Sequence, residues 1–166
     1  MELVLIIGPP GAGKSAVLTA LSVALADSDV RHAAFEVDEV SRAHPPVLAS
    51  RLFANAGLVA QGFRDAEHHL LLVTATIESR WSMEALIDAI GPDRTRSVRL
   101  EAEPATLERR IREREPASWT GLERLVAASA PLAATHAKLE DLDLVLSTEG
   151  AEPHSVAAAI RAALGV

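Results

Sequence analysis

Residues 8–15 read GPPGAGKS, and this short segment constrains the fold more than any other part of the chain. It follows the apolar run LVLII and precedes AVLTALSVAL, in which apolar residues recur at helical spacing. Glycines between a strand and a helix let backbone N–H groups turn inward around an anion, because no Cβ atom blocks them. The N-terminus of the following helix adds its dipole at the same place. The segment therefore predicts a phosphate site.

The spacing of Gly8, Gly13, Lys14 and Ser15 matches the phosphate-binding P-loop, or Walker A motif. A simple glycine-proline turn has no need of the final Gly-Lys-Ser. We expect Lys14 to reach the β- and γ-phosphates and Ser15 to hold Mg²⁺, which makes ATP and Mg²⁺ the expected cofactors. The expected nucleotide contacts in this loop are Gly8, Pro9, Pro10, Gly11, Ala12, Gly13, Lys14, Ser15 and Ala16.

Strand and helix patterns alternate along the rest of the chain. Apolar runs predict strands over 3–7, 33–37, 70–75, 97–101 and 142–146. Periodicity and end signals predict helices over 14–26, 46–67, 80–90, 104–114 and 153–164, and a capping box at 120–123 predicts one more. We expect a break in 46–67 near Gly57 or Gly62, and a bend at Pro131. The alternation predicts an α/β fold with a parallel sheet covered by helices on both faces, in one domain over 1–166.

Composition excludes several classes of function. The net charge of −7 disfavours broad binding to nucleic acid or to an anionic membrane, which needs a sustained basic surface. The absence of cysteine excludes disulfides, thiolate metal sites and cysteine nucleophiles. No apolar run reaches the length of a membrane span, and the first residues lack the pattern of a signal peptide. We therefore expect a cytoplasmic protein.

Polar residues follow the predicted strands at the edge where ligands of open parallel sheets bind. Asp38 follows the second strand, where it can accept a hydrogen bond from an acceptor hydroxyl, act as its base or hold Mg²⁺ through water. The alternative is that Asp38 caps a short helix. Arg42 and Arg80 are candidate acceptor-binding residues. Many P-loop enzymes end the third strand with a magnesium-supporting aspartate, but threonines stand there in this chain. The carboxylate that supports Mg²⁺ is therefore open, and Glu78 is the nearest.

Four arginines, at 109, 110, 112 and 114, follow the fourth strand on a predicted helix. One interpretation is a solvated helix whose charges pair at i, i+4, such as Glu108 with Arg112. After a P-loop, arginines on a mobile segment also suit phosphoryl transfer, because they neutralise the charge that spreads over the moving group. We expect a short lid over 109–121.

These residues together resemble the small P-loop kinases of the nucleoside monophosphate kinase-like group, which includes shikimate kinase, gluconate kinase, adenylylsulfate kinase and chloramphenicol phosphotransferase. The resemblance is carried by GPPGAGKS, VDEVSR and LEAEPATLERRIRER, each after a predicted strand. It implies a three-layer fold with strand order 2-3-1-4-5. It also implies that Asp38 contacts the acceptor and acts as its base. Arg109 or Arg110 would lie against the adenine, with Arg112 or Arg114 as a lid arginine.

The expected function is an ATP-dependent phosphotransferase that moves the γ-phosphoryl group to a hydroxyl of a small molecule. The chain lacks a DGFPR-like stretch after the third strand, so the acceptor is not expected to be a nucleoside monophosphate. The alternative is a P-loop ATPase or a nucleotide-regulated binding protein with no such acceptor. Partners are expected to be a nucleotide and a small molecule, in a monomer or homodimer. Acceptor identity and the choice between ATP and GTP stay open.

Overall fold

A computed structural model describes residues 1–40 and 42–166 of the chain. Within these residues it forms one five-stranded parallel sheet of order β2-β3-β1-β4-β5, as the resemblance implies. The strands are β1 (Glu2–Ile7), β2 (His32–Glu36), β3 (Leu70–Ala75), β4 (Arg94–Glu101) and β5 (Leu144–Ser147). The helices are α1 (Lys14–Ala26), α2 (Ala49–Asp65), α3 (Arg80–Ile90), α4 (Pro104–Arg114), α5 (Leu122–His136) and α6 (Pro153–Leu164).

Alternate side chains of the central strand β1 enter two different cores. Leu3, Leu5 and Ile7 join the core that receives residues of α2 and α3. Val4 and Ile6 join the core that receives residues of α1, α4 and α6. A strand buried on both faces must be apolar throughout, because successive side chains point to opposite faces. This arrangement explains the continuous apolar run before the P-loop and produces the expected three layers.

The predicted break in the second helix is wrong, because α2 runs uninterrupted through Gly57 and Gly62. Gly57 lies against the neighbouring helix α3. A Cβ atom there would stand 2.3 Å from the carbonyl oxygen of Ala89. The missing side chain of Gly57 thus allows α2 and α3 to approach closely. In the sequence, a glycine with this role cannot be distinguished from one that breaks a helix.

The capping box predicted at 120–123 is also wrong. Helix α5 begins at Leu122 after Gly121, with no side-chain cap. The Glu123 carboxylate instead accepts hydrogen bonds from Arg112 at 2.6 and 2.9 Å. A capping box does form before α3, where Ser79 and Ser82 bond reciprocally.

The remaining boundaries differ from the predicted ones by at most a few residues. Strand β4 begins at Arg94 and β5 at Leu144, while 70–75 and the helices over 14–26, 80–90, 104–114 and 153–164 agree. None of the helices in the described ranges has both the length and the apolar character needed to span a bilayer.

Parallel pairing brings the carboxyl ends of neighbouring strands together. Ile7 of β1 is level with Ala75 of β3 and Arg99 of β4, and Glu36 of β2 is level with Thr74 of β3. The P-loop leaves β1 at this edge of the sheet, so residues that follow β2 and β3 come next to it.

Candidate active site

A cleft of about 830 Å³ opens at the carboxyl ends of the strands. It is lined by parts of the P-loop, by the segments after β2 and β3, by the end of α4 and by one face of α5. The predicted site residues found in its lining are Pro10, Gly11, Gly13, Lys14, Ser15, Ala16, Asp38, Arg42, Arg110 and Arg114.

The P-loop fits tightly against α4 while leaving the first turn of α1 available to a ligand. Gly11 has φ of +84°, and a Cβ atom there would stand 2.6 Å from the carbonyl oxygen of Leu107. Gly13, also at positive φ, precedes α1, and no side chain in the described part of the chain caps this helix. Its first N–H groups have no partner within the helix, which leaves them available to an anion.

Lys14 is held over the loop by its own backbone. Its Nζ donates to the carbonyl oxygens of Gly8 at 2.8 Å and Pro9 at 3.2 Å. Removal from water lowers the pKa of Lys14 to about 8, and Arg114 acts in the same direction, whereas Asp38 and Glu36 oppose it. A cation that is poorly solvated and weakly paired gains strongly from a bound phosphate.

Glu36 is a residue of the site to which the sequence alone assigns no role. As the last residue of β2, it accepts a hydrogen bond from Ser15 Oγ at 2.7 Å and another from Thr74 Oγ1 at 3.4 Å. The hydroxyl that a P-loop offers to Mg²⁺ is therefore in direct contact with a carboxylate. The sequence signal for Glu36 is its position at the end of a predicted strand, two residues before Asp38.

Asp38 lies two residues further on and faces the same cleft. Its partial removal from water raises the pKa of its carboxyl group, with Glu36 and Glu39 adding to the effect. Lys14 and a hydrogen bond with Thr76 oppose that rise. A carboxylate with a raised pKa is a stronger base than an ordinary one, and it stands close to the cation that meets the γ-phosphate.

The structure distinguishes between the arginines of α4. Arg110 donates to the carbonyl oxygens of Gly11 at 3.3 Å and Thr148 at 2.7 Å, and to the hydroxyl of Thr148 at 2.9 Å. It thereby ties α4 to the P-loop and to the segment after β5. Arg114, one turn later, also lines the cleft and pairs with Glu115.

Three other predicted arginines are not brought into the cleft. Arg109 pairs with Glu113 on the exposed side of α4. Arg112 is hydrogen-bonded to Glu108 and Glu123, which is the ion-paired surface arrangement that the sequence left as the alternative. Arg80 pairs with Glu84 and Asp141 at the start of α3. Gly8, Pro9 and Ala12 shape the P-loop without lining the cleft.

A family model described as an AAA domain matches residues 3–140. The chain belongs to this family. No curated protein matches its sequence. Among solved structures, an APS kinase of Mycobacterium tuberculosis in complex with AMPPNP and APS is similar at a TM-score of 0.75 and 18% identity, covering 99% of this chain and 98% of that one.

Two further solved structures have the same fold as this chain. A sugar kinase of Janibacter sp. HTCC2649 is 16% identical at a TM-score of 0.72, covering 100% of this chain and 95% of that one. A shikimate kinase of Acinetobacter baumannii, bound to shikimate, is 18% identical at a TM-score of 0.58, covering 98% and 93%. The family and the fold confirm the resemblance to the small P-loop kinase group.

The chain also contains a buried histidine near the site, although the spacing of the histidines in the sequence does not indicate a metal site. His136, at the end of α5, is 1% exposed, and its Nε2 bonds the carbonyl oxygen of Ile77 after β3. Its own carbonyl oxygen accepts from Arg99 at 2.8 Å. Its Nδ1 has no partner among the described residues. His136 thus joins α5 to the segment that carries Thr76, the hydrogen-bond partner of Asp38.

We expect His136 to make stability depend on pH. Burial lowers the pKa of His136, with Lys14 and Arg99 acting in the same direction. The unfolded chain therefore binds more protons than the native one below about pH 6.5, so stability falls as pH decreases through that value. His136→Gln, which keeps an N–H donor, should flatten the loss of melting temperature between about pH 7 and 5. His154→Gln, at an exposed site, is the matched control, and equal slopes in all three proteins would contradict the expectation.

Proposed function

We propose that this chain is an ATP-dependent phosphotransferase that moves the γ-phosphoryl group to a hydroxyl of a small molecule. One observation carries the proposal: the P-loop cation Lys14, the Ser15–Glu36 pair and the carboxylate of Asp38 meet in a single cleft. A plain nucleotide-binding site has no need of Asp38 beside the phosphate position. Kinase neighbours of the same fold support the proposal.

The proposed roles follow from the contacts. Lys14 and the first turn of α1 bind and neutralise the phosphates. Asp38 orients the acceptor hydroxyl and takes its proton, with Thr76 fixing the carboxylate. Arg110 lies on the nucleobase side, and Arg114 is the lid arginine of the short lid over 109–121. Geometry favours these two over Arg109 and Arg112, whose guanidinium groups pair outside the cleft.

The donor set suits Mg²⁺. Ser15, Glu36 and Thr74 supply hydroxyl and carboxylate oxygens, which are the ligand types that this hard cation prefers. In the described ranges no group of three or more His, Asp or Glu could hold a metal ion. Mg²⁺ would then depend on the phosphates for the rest of its ligands, as is usual. When bound, it neutralises charge on the β- and γ-phosphate oxygens.

We expect Glu36→Gln to weaken the binding of Mg²⁺ at the nucleotide site, whereas the binding of the nucleotide itself should change little. The amide keeps the size of the side chain but removes the charge beside Ser15. Apparent Mg²⁺ affinity in the presence of ADP should fall about 10- to 100-fold, the usual range for a residue that supports a metal ligand. Isothermal titration of ADP over a Mg²⁺ series measures it. Glu84→Gln, on the surface of α3, is the control, and identical Mg²⁺ curves for both variants would remove Glu36 from the metal site.

Acceptor-dependent ADP release tests the proposed function. The protein is given Mg-ATP with and without pooled hydroxyl-bearing metabolites, and ADP and phosphorylated products are measured. We expect one or more pools to raise the rate, and expect this increase to be lost in Lys14→Met. Splitting an active pool identifies the acceptor, and repeating the assay with Mg-GTP establishes the choice of nucleotide.

The family description supports a second candidate, a P-loop ATPase without a small-molecule acceptor. In that case Asp38 would orient water instead of a hydroxyl group. The same assay separates the two candidates, because ADP release that no pool increases, in the presence of normal Mg-ATP binding, favours the ATPase.

A further inference from the structure

The part of the cleft beyond Lys14, which we call the acceptor half, has an unusual charge balance for a phosphotransferase that accepts an anion. Its charged lining residues are Asp38, Glu39, Glu78 and Arg42. Three carboxylates thus face one guanidinium group. Arg114 and Glu115 also reach the cleft, but they pair with each other at 2.7 Å and add no net charge.

Arg42 offers little to an acidic acceptor. Its guanidinium group already pairs with Glu39, and its side chain is 77% exposed. An anion that recruited Arg42 would leave Glu39 unpaired next to Asp38. The total charge of the acceptor half would then become more negative, which disfavours an anionic acceptor there.

Glu78 is the member of the group that has no protein partner among the described residues. It follows β3, lines the cleft and is exposed. In the described part of the chain it forms no hydrogen bond or ion pair. Asp38 is needed for the acceptor hydroxyl under the proposed function, whereas Glu78 is free to bind a positive charge elsewhere on the same molecule.

An apolar wall completes the acceptor half. Leu125, Ala128 and Leu132 lie at i, i+3 and i+7 on one face of α5, and Leu52 of α2 also lines the cleft. These side chains have no polar group to bind a further hydroxyl. They suit a ring or a hydrocarbon segment of the acceptor.

We propose that the acceptor is a hydroxylated amine with an apolar face, in which Asp38 meets the hydroxyl and Glu78 meets the ammonium group. The inference rests on the proposed function for its phosphoryl transfer. In that step the acceptor oxygen forms a bond to the γ-phosphorus, the bond from that phosphorus to the bridging oxygen of ATP breaks, ADP leaves, and the hydroxyl proton passes to Asp38.

Matched acceptors that differ in one terminal group, which is anionic, neutral or cationic, test the proposal. Suitable sets are gluconate, glucitol and glucamine, together with the carboxylate, hydroxymethyl and aminomethyl forms of cyclohexanediols. Binding is measured as the rise in melting temperature of the Mg-ADP complex, and transfer as ADP release from Mg-ATP. We expect the amine of a set to bind and react best, with kcat/KM at least about 10-fold above that of the carboxylate, as for a charge-assisted contact.

Charge reversal at one position makes the test specific. Glu78→Lys should lower kcat/KM for the amine and raise kcat/KM for the carboxylate. Glu78→Gln should make the two kcat/KM values similar. Glu84→Lys makes the same change in net charge outside the cleft and should leave the preference unchanged. A preference for the amine that survives Glu78→Lys would overturn the role of Glu78.

The proposal and the function on which it rests fail in different ways. A carboxylate or an uncharged alcohol that binds and reacts as well as the amine overturns the inference and leaves the phosphotransferase intact. An amine that stabilises the Mg-ADP complex through Glu78 without accelerating ADP release supports the binding inference and overturns the phosphotransferase. No binding by any member of the sets counts against the amine site itself.

Discussion

Asp38→Asn is expected to lower kcat about 10²- to 10⁴-fold, the range for losing a general base. The amide keeps the shape of the side chain and can still bond Thr76, but it cannot take a proton from the acceptor hydroxyl. Mg-ATP affinity should change little, because Lys14 and the first turn of α1 hold the phosphates. Steady-state kinetics and isothermal titration of Mg-ATP on the same preparation measure the two effects.

The pH profile gives this variant a second readout. The pKa of Asp38 is raised, mainly by its partial removal from water. Asp38 can no longer act as a base once pH falls below its raised pKa. The decrease of kcat at acidic pH should therefore occur above the ordinary carboxyl range near about 4. The residual activity of Asp38→Asn should lack this decrease. Asp88→Asn, an exposed change on α3, should behave as wild type. An unchanged kcat in Asp38→Asn would exclude Asp38 as the base.

Lys14→Met is expected to lower kcat/KM for Mg-ATP at least about 10²- to 10³-fold, the scale of losing one preorganised charge-stabilising donor. Methionine retains most of the hydrocarbon stem but provides no cation for the β- and γ-phosphates. The effect on kcat/KM should exceed the effect on folding, because the hydrogen bonds of Nζ within the described residues go to the carbonyl oxygens of Gly8 and Pro9 alone. Melting temperatures measured beside the kinetics separate lost activity from lost structure.

The chain provides its own control for this change. Lys138 is the only other lysine in the sequence and is exposed after α5. Lys138→Met removes the same charge and should leave kcat/KM unaltered. Because the pKa of Lys14 is about 8, wild-type kcat/KM for Mg-ATP should also decline as pH rises through that value. Equal activity of the two variants would contradict the assignment of Lys14.

The sequence was most informative where local chemistry decides the structure. The P-loop needs a strand, a tight turn and a helix N-terminus in immediate succession, so its position followed from eight residues. Strand order could not be obtained that way, because it depends on which apolar runs pair across long distances, and it came from the resemblance alone. The pairing of Glu36 with Ser15 depends on the same long-range packing.

The arginines of α4 illustrate a choice that the sequence narrows and that the packing of the helix decides. Arg110 and Arg114 are four residues apart and share one side of the helix, and both line the cleft. Arg109 and Arg112 lie away from it. Choosing between these sides requires knowing which face is buried, and the buried residues of α4 identify that face only once the helix is seated on its core.

The groups that would hold the phosphate donor and those that would meet the acceptor come from different parts of the chain. Lys14 and Ser15 begin α1 and Arg110 belongs to α4. Arg42, Glu78 and the apolar wall belong instead to the segments after β2 and β3 and to α2 and α5. Mutations in the second set need not disturb the first. Such a chain can drift from one acceptor to another through a few surface substitutions while its donor chemistry stays constant, so sequence divergence among its descendants should concentrate on one wall of the cleft.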